Sequence, residues 1–286
     1  TKIRAMQSKL ISESEIQEML QFTSVSHAAA WLKRTPEYAK AWADLDENSL
    51  HRGQIEKLLK ASIFKDFSKI YQFANPEQRK FLDLYSRRYE IRVLKEIMTN
   101  LFDHKSTDAV DVSPYCDFFR RHSKLDLDRL TACTTMDEFI NTLKGNEFYV
   151  PLSRIQNHDT ALLFDYGMAL DLYYFSMIWN VRKKLFSGKD LEQITTAYGE
   201  KFDMLNLQFI SRSKRYFSMA PADIYALLIP MNYKLKKEEI TALVEASTRE
   251  EAQQIFRKTY YGKKYDHLSA NNLEEFYNYM LRTTLE

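Results

Sequence analysis

The chain repeats one short pattern three times, and this internal repeat constrains its architecture more than any other feature. Blocks at residues 19–33, 130–144 and 243–257 begin 111 and 113 residues apart. Each block contains the end of one apolar segment, a pair of hydroxyl residues, and a second segment that ends in an apolar and a basic residue. Self-similarity at a fixed spacing is typical of proteins in which each repeat is one supersecondary unit. The sequence therefore predicts three copies of a helix–turn–helix unit.

The hydroxyl pair in each block marks the start of a helix. Thr135 with Glu138, and Thr248 with Glu251, match the capping box, in which a threonine and a glutamate three positions later satisfy free N–H groups. In the first block Ser24 keeps the hydroxyl, but a histidine replaces the glutamate. We expect that helix to have the simpler serine cap.

A second motif repeats at the same spacing. Residues 82–94 and 195–207 share a tyrosine, two residues, a base, an aromatic residue and an acid, and the two tyrosines lie 113 positions apart. The acids are Glu90 and Asp203. Because active sites are rarely duplicated intact, the recurrence favours a packing and charge-pairing role over a catalytic one.

The composition predicts an all-α protein. Glycine and proline each occur only six times in 286 residues, which leaves few chain breaks. Apolar residues recur with helical spacing across 55–71, 81–101 and 163–185. Asn75 followed by Pro76 fits an N-cap and first helical position. The expected fold is a set of long helices joined by short connections.

The repeats predict three similar helical subdomains. Their expected boundaries are 1–103 for the first, 104–217 for a linker and the second, and 218–286 for an incomplete third. Residues 104–123 are the least regular and are expected to form the linker. The second motif has no third copy before residue 286, so we expect the native chain to continue.

Charge and cysteine content argue against several classes of protein. The net charge of +2 is unlike that of a dedicated binder of nucleic acid or membrane surfaces. Cys116 and Cys133 form no disulfide framework or zinc pattern, so a reducing intracellular compartment is the simplest expectation. No apolar stretch of about 20 residues and no signal peptide is visible. The first residue, Thr1, leaves open a native N-terminus that begins earlier.

The sequence predicts no catalytic, cofactor-binding or metal-binding residue. The six glycines nowhere have the spacing of a phosphate-binding loop, and no histidine has an acid three residues before it. Asp126 and Asp128 could be a catalytic pair, but a helix start also suits acids. The basic strings at 212–215 and 234–237 could contact phosphates, although a solvated helix face is the favoured interpretation.

Several segments together resemble one family. Residues 2–11 resemble the first helix of the C subunit of bacterial and archaeal V/A-type rotary ATPases, which is equivalent to the d subunit of eukaryotic V-ATPases. Residues 89–95 and 202–207 resemble its Tyr-Asp-x-x-Asn-Leu-Lys signature, and the second copy is closer. Residues 225–230 and 233–235 resemble the approach to its third repeat. The resemblance covers essentially the whole chain and depends on the order of the motifs.

The chain departs from the family pattern at a few positions. Glu90 replaces the aspartate and Val93 the asparagine of the first signature. Met231 and Asn232 stand where the family usually has glycine after the proline of the third repeat. Asparagine tolerates left-handed backbone geometry, so the turn is expected to persist.

The resemblance implies a non-catalytic adaptor. Members of the family consist of three helical subdomains around a pseudo-threefold axis, which form a funnel. Its mouth receives the rotor shaft, made of the D subunit with the F subunit beside it, and the opposite face contacts the membrane ring of proteolipid subunits. The implied location is peripheral, on the cytoplasmic face of the membrane, and hydrolysis of ATP for proton or sodium transport takes place on other subunits. The sequence assigns no interface residues.

Two other interpretations stay open at this stage. The chain could be a soluble helical scaffold or regulator that contacts nucleic acid through residues 212–215, in which case binding would depend steeply on salt. A helical enzyme would require a constellation that the sequence does not reveal. For the adaptor, no binding of nucleic acid is expected.

Overall fold

The structure, a computed structural model, is all-α in the part of the chain that it describes. It describes residues 2–43, 46, 50–103, 116–156 and 161–265. Within those ranges every regular element is a helix, which confirms the predicted all-α class. The helices are α1 (Lys2–Gln7), α2 (Glu13–Met19), α3 (Val25–Arg34), α4 (Pro36–Trp42), α5 (Arg52–Phe73), α6 (Pro76–Phe102), α7 (Cys116–His122), α8 (Leu127–Thr131), α9 (Met136–Thr142), α10 (Tyr149–Gln156), α11 (Leu163–Leu185), α12 (Gly188–Tyr216), α13 (Pro221–Leu227), α14 (Lys237–Glu245), α15 (Arg249–Lys258) and α16 (Tyr260–Lys264).

A first compact unit, Thr1–Tyr149, contains two long helices, α5 and α6. Helix α6 begins as predicted, with the Asn75 side chain accepting from the Gln78 N–H at 2.8 Å and Pro76 at the first position. Helices α7 and α9 both pack against α6. Phe64 and Tyr89 from the long helices pack around Phe118 of α7 in edge-on and tilted arrangements, with ring centroids 4.9 to 5.8 Å apart. This aromatic packing fixes α7 on the long helices.

A second compact unit, Val150–Glu286, contains the long helices α11 and α12. Helices α11 and α12 lie against each other, and α14 packs on α12. Gly188, the first residue of α12, has φ +52°, a left-handed conformation that glycine adopts without strain. Its core includes Leu207, Ile224, Leu243 and Tyr261, from four helices. Burial of such side chains contributes about 1.5–3 kcal/mol each.

The three repeated blocks form the same helix start. The side chains of Ser24, Thr135 and Thr248 accept the backbone N–H three residues later at 3.1, 3.2 and 3.1 Å. Glu138 and Glu251 reach back to the N–H of the residue before the threonine, at 2.9 and 2.8 Å. The predicted caps are therefore present, with the glutamate bond displaced by one residue from the usual capping box.

The predicted linker is only partly described. Residues 104–115 lie outside the described part of the chain, but Cys116–His122 form the helix α7, so the second half of the expected linker is helical. Residues 266–286, the last part of the predicted third repeat, also lie outside the described residues. The division into three subdomains stays a prediction.

None of the described helices combines the length and the apolar character needed to cross a bilayer.

Candidate functional site

The repeated acid-aromatic motif places one buried carboxylate on each of the helices α6 and α12. The exposed fraction is 2% for Glu90 and zero for Asp203. Burial of a charged group costs free energy unless hydrogen bonds or opposite charges compensate for it. The partners of these two carboxylates therefore indicate what the motif does.

Asp203 holds the segment that leads into α14. Its Oδ1 accepts the backbone N–H of Tyr233 at 3.0 Å, and its Oδ2 accepts those of Lys234 at 2.7 Å and Leu235 at 2.9 Å. The hydroxyl of Tyr261 on α16 donates to the same Oδ2 at 2.7 Å. One side chain thus joins α12 to two later segments, with donors 30 to 58 residues away along the chain.

Asn206, one helical turn after Asp203, extends this contact. Its amide donates to the carbonyl of Ile229 at 3.0 Å and accepts the N–H of the same residue at 2.8 Å. Asn206 is 1% exposed. Asp203 and Asn206, the two polar residues of the signature, therefore both form hydrogen bonds with backbone groups between α13 and α14.

Gly199 explains how the segment approaches α12 so closely. A Cβ atom at this position would overlap the ring of Tyr233, which lies against the helix. The Tyr233 hydroxyl is 3.1 Å from that of Thr196 on the same helix. The absence of a side chain at residue 199 thus makes room for the residue whose N–H reaches Asp203.

Glu90 makes a different set of contacts in the first unit. It pairs with Arg87 at 3.1 Å, accepts a hydrogen bond from the hydroxyl of Ser123, and Arg87 also pairs with Glu147 at 2.7 Å. Val93, in place of the signature asparagine, is fully buried and has no side-chain polar group. The first copy therefore relies on an ion pair where the second relies on backbone N–H groups.

Burial dominates the electrostatics of both carboxyl groups. It raises the pKa of Glu90, which Arg87 opposes most strongly. It also raises the pKa of Asp203, although the hydroxyl of Tyr261 and the three backbone N–H groups oppose the shift. The pKa of Tyr261 is raised too, by its own burial and by the adjacent carboxylate. Each carboxylate thus belongs to a structural hydrogen-bond network of its own, and Asp203 is fully enclosed rather than open to a substrate.

Three residues of the basic strings, Lys214, Arg215 and Lys234, have contacts within the protein. Lys214 donates to the carbonyl oxygens of Val244 and Ala246 at the end of α14, where a cation suits the helix dipole. Ser213 is buried, and the Arg215 guanidinium lies 5.0 Å from the ring of Tyr216. In the second string, Lys234 lies 4.8 Å from the ring of its neighbour Tyr233.

The other candidates occupy structural positions. Asp126 is the N-cap of α8, accepting the N–H of Arg129 at 3.1 Å, and Asp128 lies in its first turn. Cys133 is buried and Cys116 is half-buried. Within the described ranges, no group of three or more His, Cys, Asp or Glu side chains is arranged to hold a metal ion.

Sequence reasoning missed the roles of Tyr233 and Tyr261. Both lie far from Asp203 in the chain, so no local pattern connects them. The repeat does indicate that residue 261 is a core position, because Phe148 lies 113 residues before Tyr261 and both side chains are fully buried. At this repeat position Tyr261 has a hydroxyl that Phe148 lacks.

Several known proteins that share one name are similar to this chain. The chain is 23% identical over 250 residues to the C subunit of the A-type ATP synthase of Methanosarcina mazei, covering 85% of this chain and 65% of the relative. It is 22% identical over 253 residues to the protein of the same name from Methanobrevibacter smithii, covering 85% and 61%. The Methanosphaera stadtmanae protein, which also has that name, is 20% identical over 281 residues, covering 96% and 68%.

This chain thus spans less than two thirds of the length of the first two relatives. The sequence model of the family described as "ATP synthase (C/AC39) subunit" matches residues 1–286. The match extends over all three repeated blocks and both copies of the signature. The chain therefore belongs to the ATP synthase (C/AC39) subunit family, as its resemblance to the C subunit of V/A-type ATPases indicated.

Proposed function

We propose that this chain is a non-catalytic central-stalk adaptor of a V/A-type rotary ATPase, which couples the rotor shaft to the proteolipid ring of the membrane. The observation that carries the proposal is the family match across residues 1–286. The relatives named above are subunits of A-type ATP synthases. In this proposal the ring moves protons or sodium ions, and this chain transmits torque.

The chemistry of the signature motif supports a mechanical role. Asp203 and Asn206 use their polar atoms to fix the backbone between residues 229 and 235 to α12. A fully buried carboxylate with four hydrogen bonds resists displacement, because separation would leave an uncompensated charge. A protein that passes torque between two partners needs such resistance between its helices.

The proposal includes the arrangement of the repeats. We expect three helical subdomains around a pseudo-threefold axis, with a funnel that receives the D subunit, with the F subunit beside it, and an opposite face that contacts the ring. The chain would then lie peripherally at the cytoplasmic face of the membrane. The recurrence of the same cap at Ser24, Thr135 and Thr248 supports three equivalent units.

The alternative of a scaffold that contacts nucleic acid has less support. Lys214, at the centre of the basic string 212–215, donates to carbonyl groups at the end of α14. That contact uses donors which a phosphate would need. Binding of duplex or single-stranded nucleic acid with a steep salt dependence would revive this alternative.

Co-purification tests the adaptor proposal. The chain is co-expressed with the D and F subunits from the same genome, and the mixture is separated by size-exclusion chromatography. We expect one complex that contains all three proteins. An unrelated coiled coil of similar length and charge serves as the control partner and is expected to elute separately.

The opposite result is also informative. Separate elution of a chain that circular dichroism shows to be helical, together with separate elution of a longer form that continues beyond residue 286, would contradict the adaptor role. Equal binding to the control coiled coil would contradict it as well, because the interaction would then be non-specific.

A further inference from the structure

A cleft lies between α12 and α15 in the second unit. It encloses about 270 Å³, and its apolar lining includes Leu207, Ile210, Leu243 and Phe256. An apolar cavity of roughly 150 Å³ is enough to bind one benzene-sized ring. The cleft is therefore large enough for a big apolar side chain and part of a neighbouring residue.

The repeat shows why the cleft is open. Phe139 and Ile140 of α9, which packs on α6, are fully buried. A shift of 113 residues brings these positions to Ala252 and Gln253 of α15, and both of these line the cleft. The change from phenylalanine to alanine at the first position removes a phenyl ring from the packing of this helix, and space is left beside it.

The wall of the cleft that α12 forms is also more polar than the corresponding face of α6. Met98 and Leu101 of α6 are 0% and 6% exposed, and the equivalent residues on α12 are Ser211 and Lys214, which line the cleft. Two buried apolar positions in one copy have thus become part of a partly polar, open groove in the other. Core positions keep close packing unless another requirement opposes it, because unfilled volume lowers stability.

The ionisable residues that line the cleft are all basic. Among the described residues that line it, these are Lys214, Arg215 and Arg249, and none is a carboxylate. Glu251, two residues after Arg249, accepts the backbone N–H of Ser247 at 2.8 Å. The cleft is lined by Ser247 and Thr248 as well. An apolar floor with a cationic rim is complementary to a ligand with a large apolar group flanked by carboxylates.

We propose that the cleft between α12 and α15 binds an acidic amphipathic helix of a partner protein, which inserts one large apolar side chain while its carboxylates face Arg215 and Arg249. An amphipathic helix in an apolar groove is a recurrent mode of recognition. The inference concerns this cleft alone and does not depend on which assembly contains the chain.

The binding test uses a defined probe. A fluorescein-labelled synthetic helical peptide carries one phenylalanine flanked by glutamates at helical spacing, and fluorescence anisotropy measures its binding to the 286-residue chain. We expect saturable binding that weakens with salt. Two matched peptides, with lysine for glutamate or alanine for phenylalanine, should each bind at least about tenfold more weakly.

Substitutions in the protein locate the binding. The double variant Ala252→Phe and Gln253→Ile restores the residues of α9, and we expect it to abolish binding of the probe. Filling the space should also raise the thermal midpoint by about 2–4 °C. Gln254→Ile, on the exposed face of the same helix, is the control and should bind normally.

A charge variant keeps the proposal testable if the double variant folds poorly. Arg249→Glu places an acid in the first turn of α15, where it suits the dipole and preserves the helix. It should weaken binding of the glutamate peptide about tenfold and strengthen binding of the lysine peptide. Retained binding in both the filled and the charge-reversed variants would overturn the proposal.

Other occupants give distinct results, and each would overturn the proposal. If the cleft joins two copies of this chain, sedimentation will show a dimer that the filled variant dissociates. If residues 266–286 occupy it, the probe will bind only after an apolar residue of that segment, such as Phe276, is changed to serine. Equal binding of the glutamate and lysine peptides would show that charge plays no part.

Discussion

Replacement of Asp203 by asparagine is expected to weaken the contact between α12 and the segment before α14. The new side chain has nearly the same shape, so packing is preserved and only the hydrogen bonding and charge change. Asparagine keeps one carbonyl oxygen, which at the position of Oδ2 still accepts from Lys234, Leu235 and Tyr261. Its amide nitrogen then faces the N–H of Tyr233, so two donors oppose each other.

The magnitude follows from those four bonds. One buried donor without an acceptor costs about 1–3 kcal/mol, and bonds to a neutral oxygen contribute about 1 kcal/mol less than bonds to a carboxylate. Burial raises the pKa of Asp203, which means that it disfavours the charged form. Removal of that charge therefore recovers part of the lost free energy. We therefore expect Asp203→Asn to lower the free energy of unfolding by about 2–4 kcal/mol.

Urea denaturation followed by circular dichroism measures the loss of stability, and hydrogen exchange locates it. The amide protons of Tyr233, Lys234 and Leu235 should exchange faster in the variant, because they lose part of their protection. Asp223→Asn makes the same chemical change at an exposed position of α13 and should cost less than about 0.5 kcal/mol. Equal effects of the two substitutions, with unchanged exchange at residues 233–235, would refute the argument.

Three further predictions test other parts of the structure by the same denaturation assay. Gly199→Ala should destabilise by about 1–3 kcal/mol, because its Cβ overlaps the ring of Tyr233, whereas Gly53→Ala, with nothing within 4 Å, should be neutral or stabilising; equal effects would contradict this. Thr248→Ala should cost about 1 kcal/mol and Thr248→Ser much less, since serine keeps the capping hydroxyl; an equal loss for both would exclude the cap as the cause. Burial raises the pKa of Tyr89 from 10 to about 12, so its contribution to stability is complete below pH 10 and declines as pH rises to 12, by about 2–3 kcal/mol. Tyr89→Phe should remove that decline, and an unchanged alkaline profile would contradict the assignment.

The sequence predicted those features of the fold that depend on local chemistry. Asn75 and Pro76 start α6, and the three hydroxyl caps lie where the blocks placed them. The helix α7 was missed because it has only seven residues, and a helix this short is marginal by propensity alone. Phe118 and Phe119, each 2% exposed, stabilise it through packing that no local pattern reveals.

The buried carboxylates were predicted in part. A charge-pairing role fits Glu90, whose partner Arg87 lies one helical turn away on the same helix. It does not describe Asp203, whose partners are backbone N–H groups and a tyrosine hydroxyl. Those donors come from distant parts of the chain, and backbone groups leave no trace in residue identity, so the sequence could not distinguish the two cases.

The boundaries of the sequence repeats do not coincide with the groups of helices that pack together. The predicted boundary after residue 103 separates α6 from α7 and α9, yet both pack against α6. The same offset occurs further along, where Asp203 on α12 holds residues 233–235, which belong to the next sequence repeat. In repeat proteins contacts between neighbours supply much of the stability, and Asp203 makes a contact between two of the sequence repeats. The signature motif is thus best explained as a connection between consecutive repeats, and loss of its charge should separate α14 from α12 before either helix unfolds.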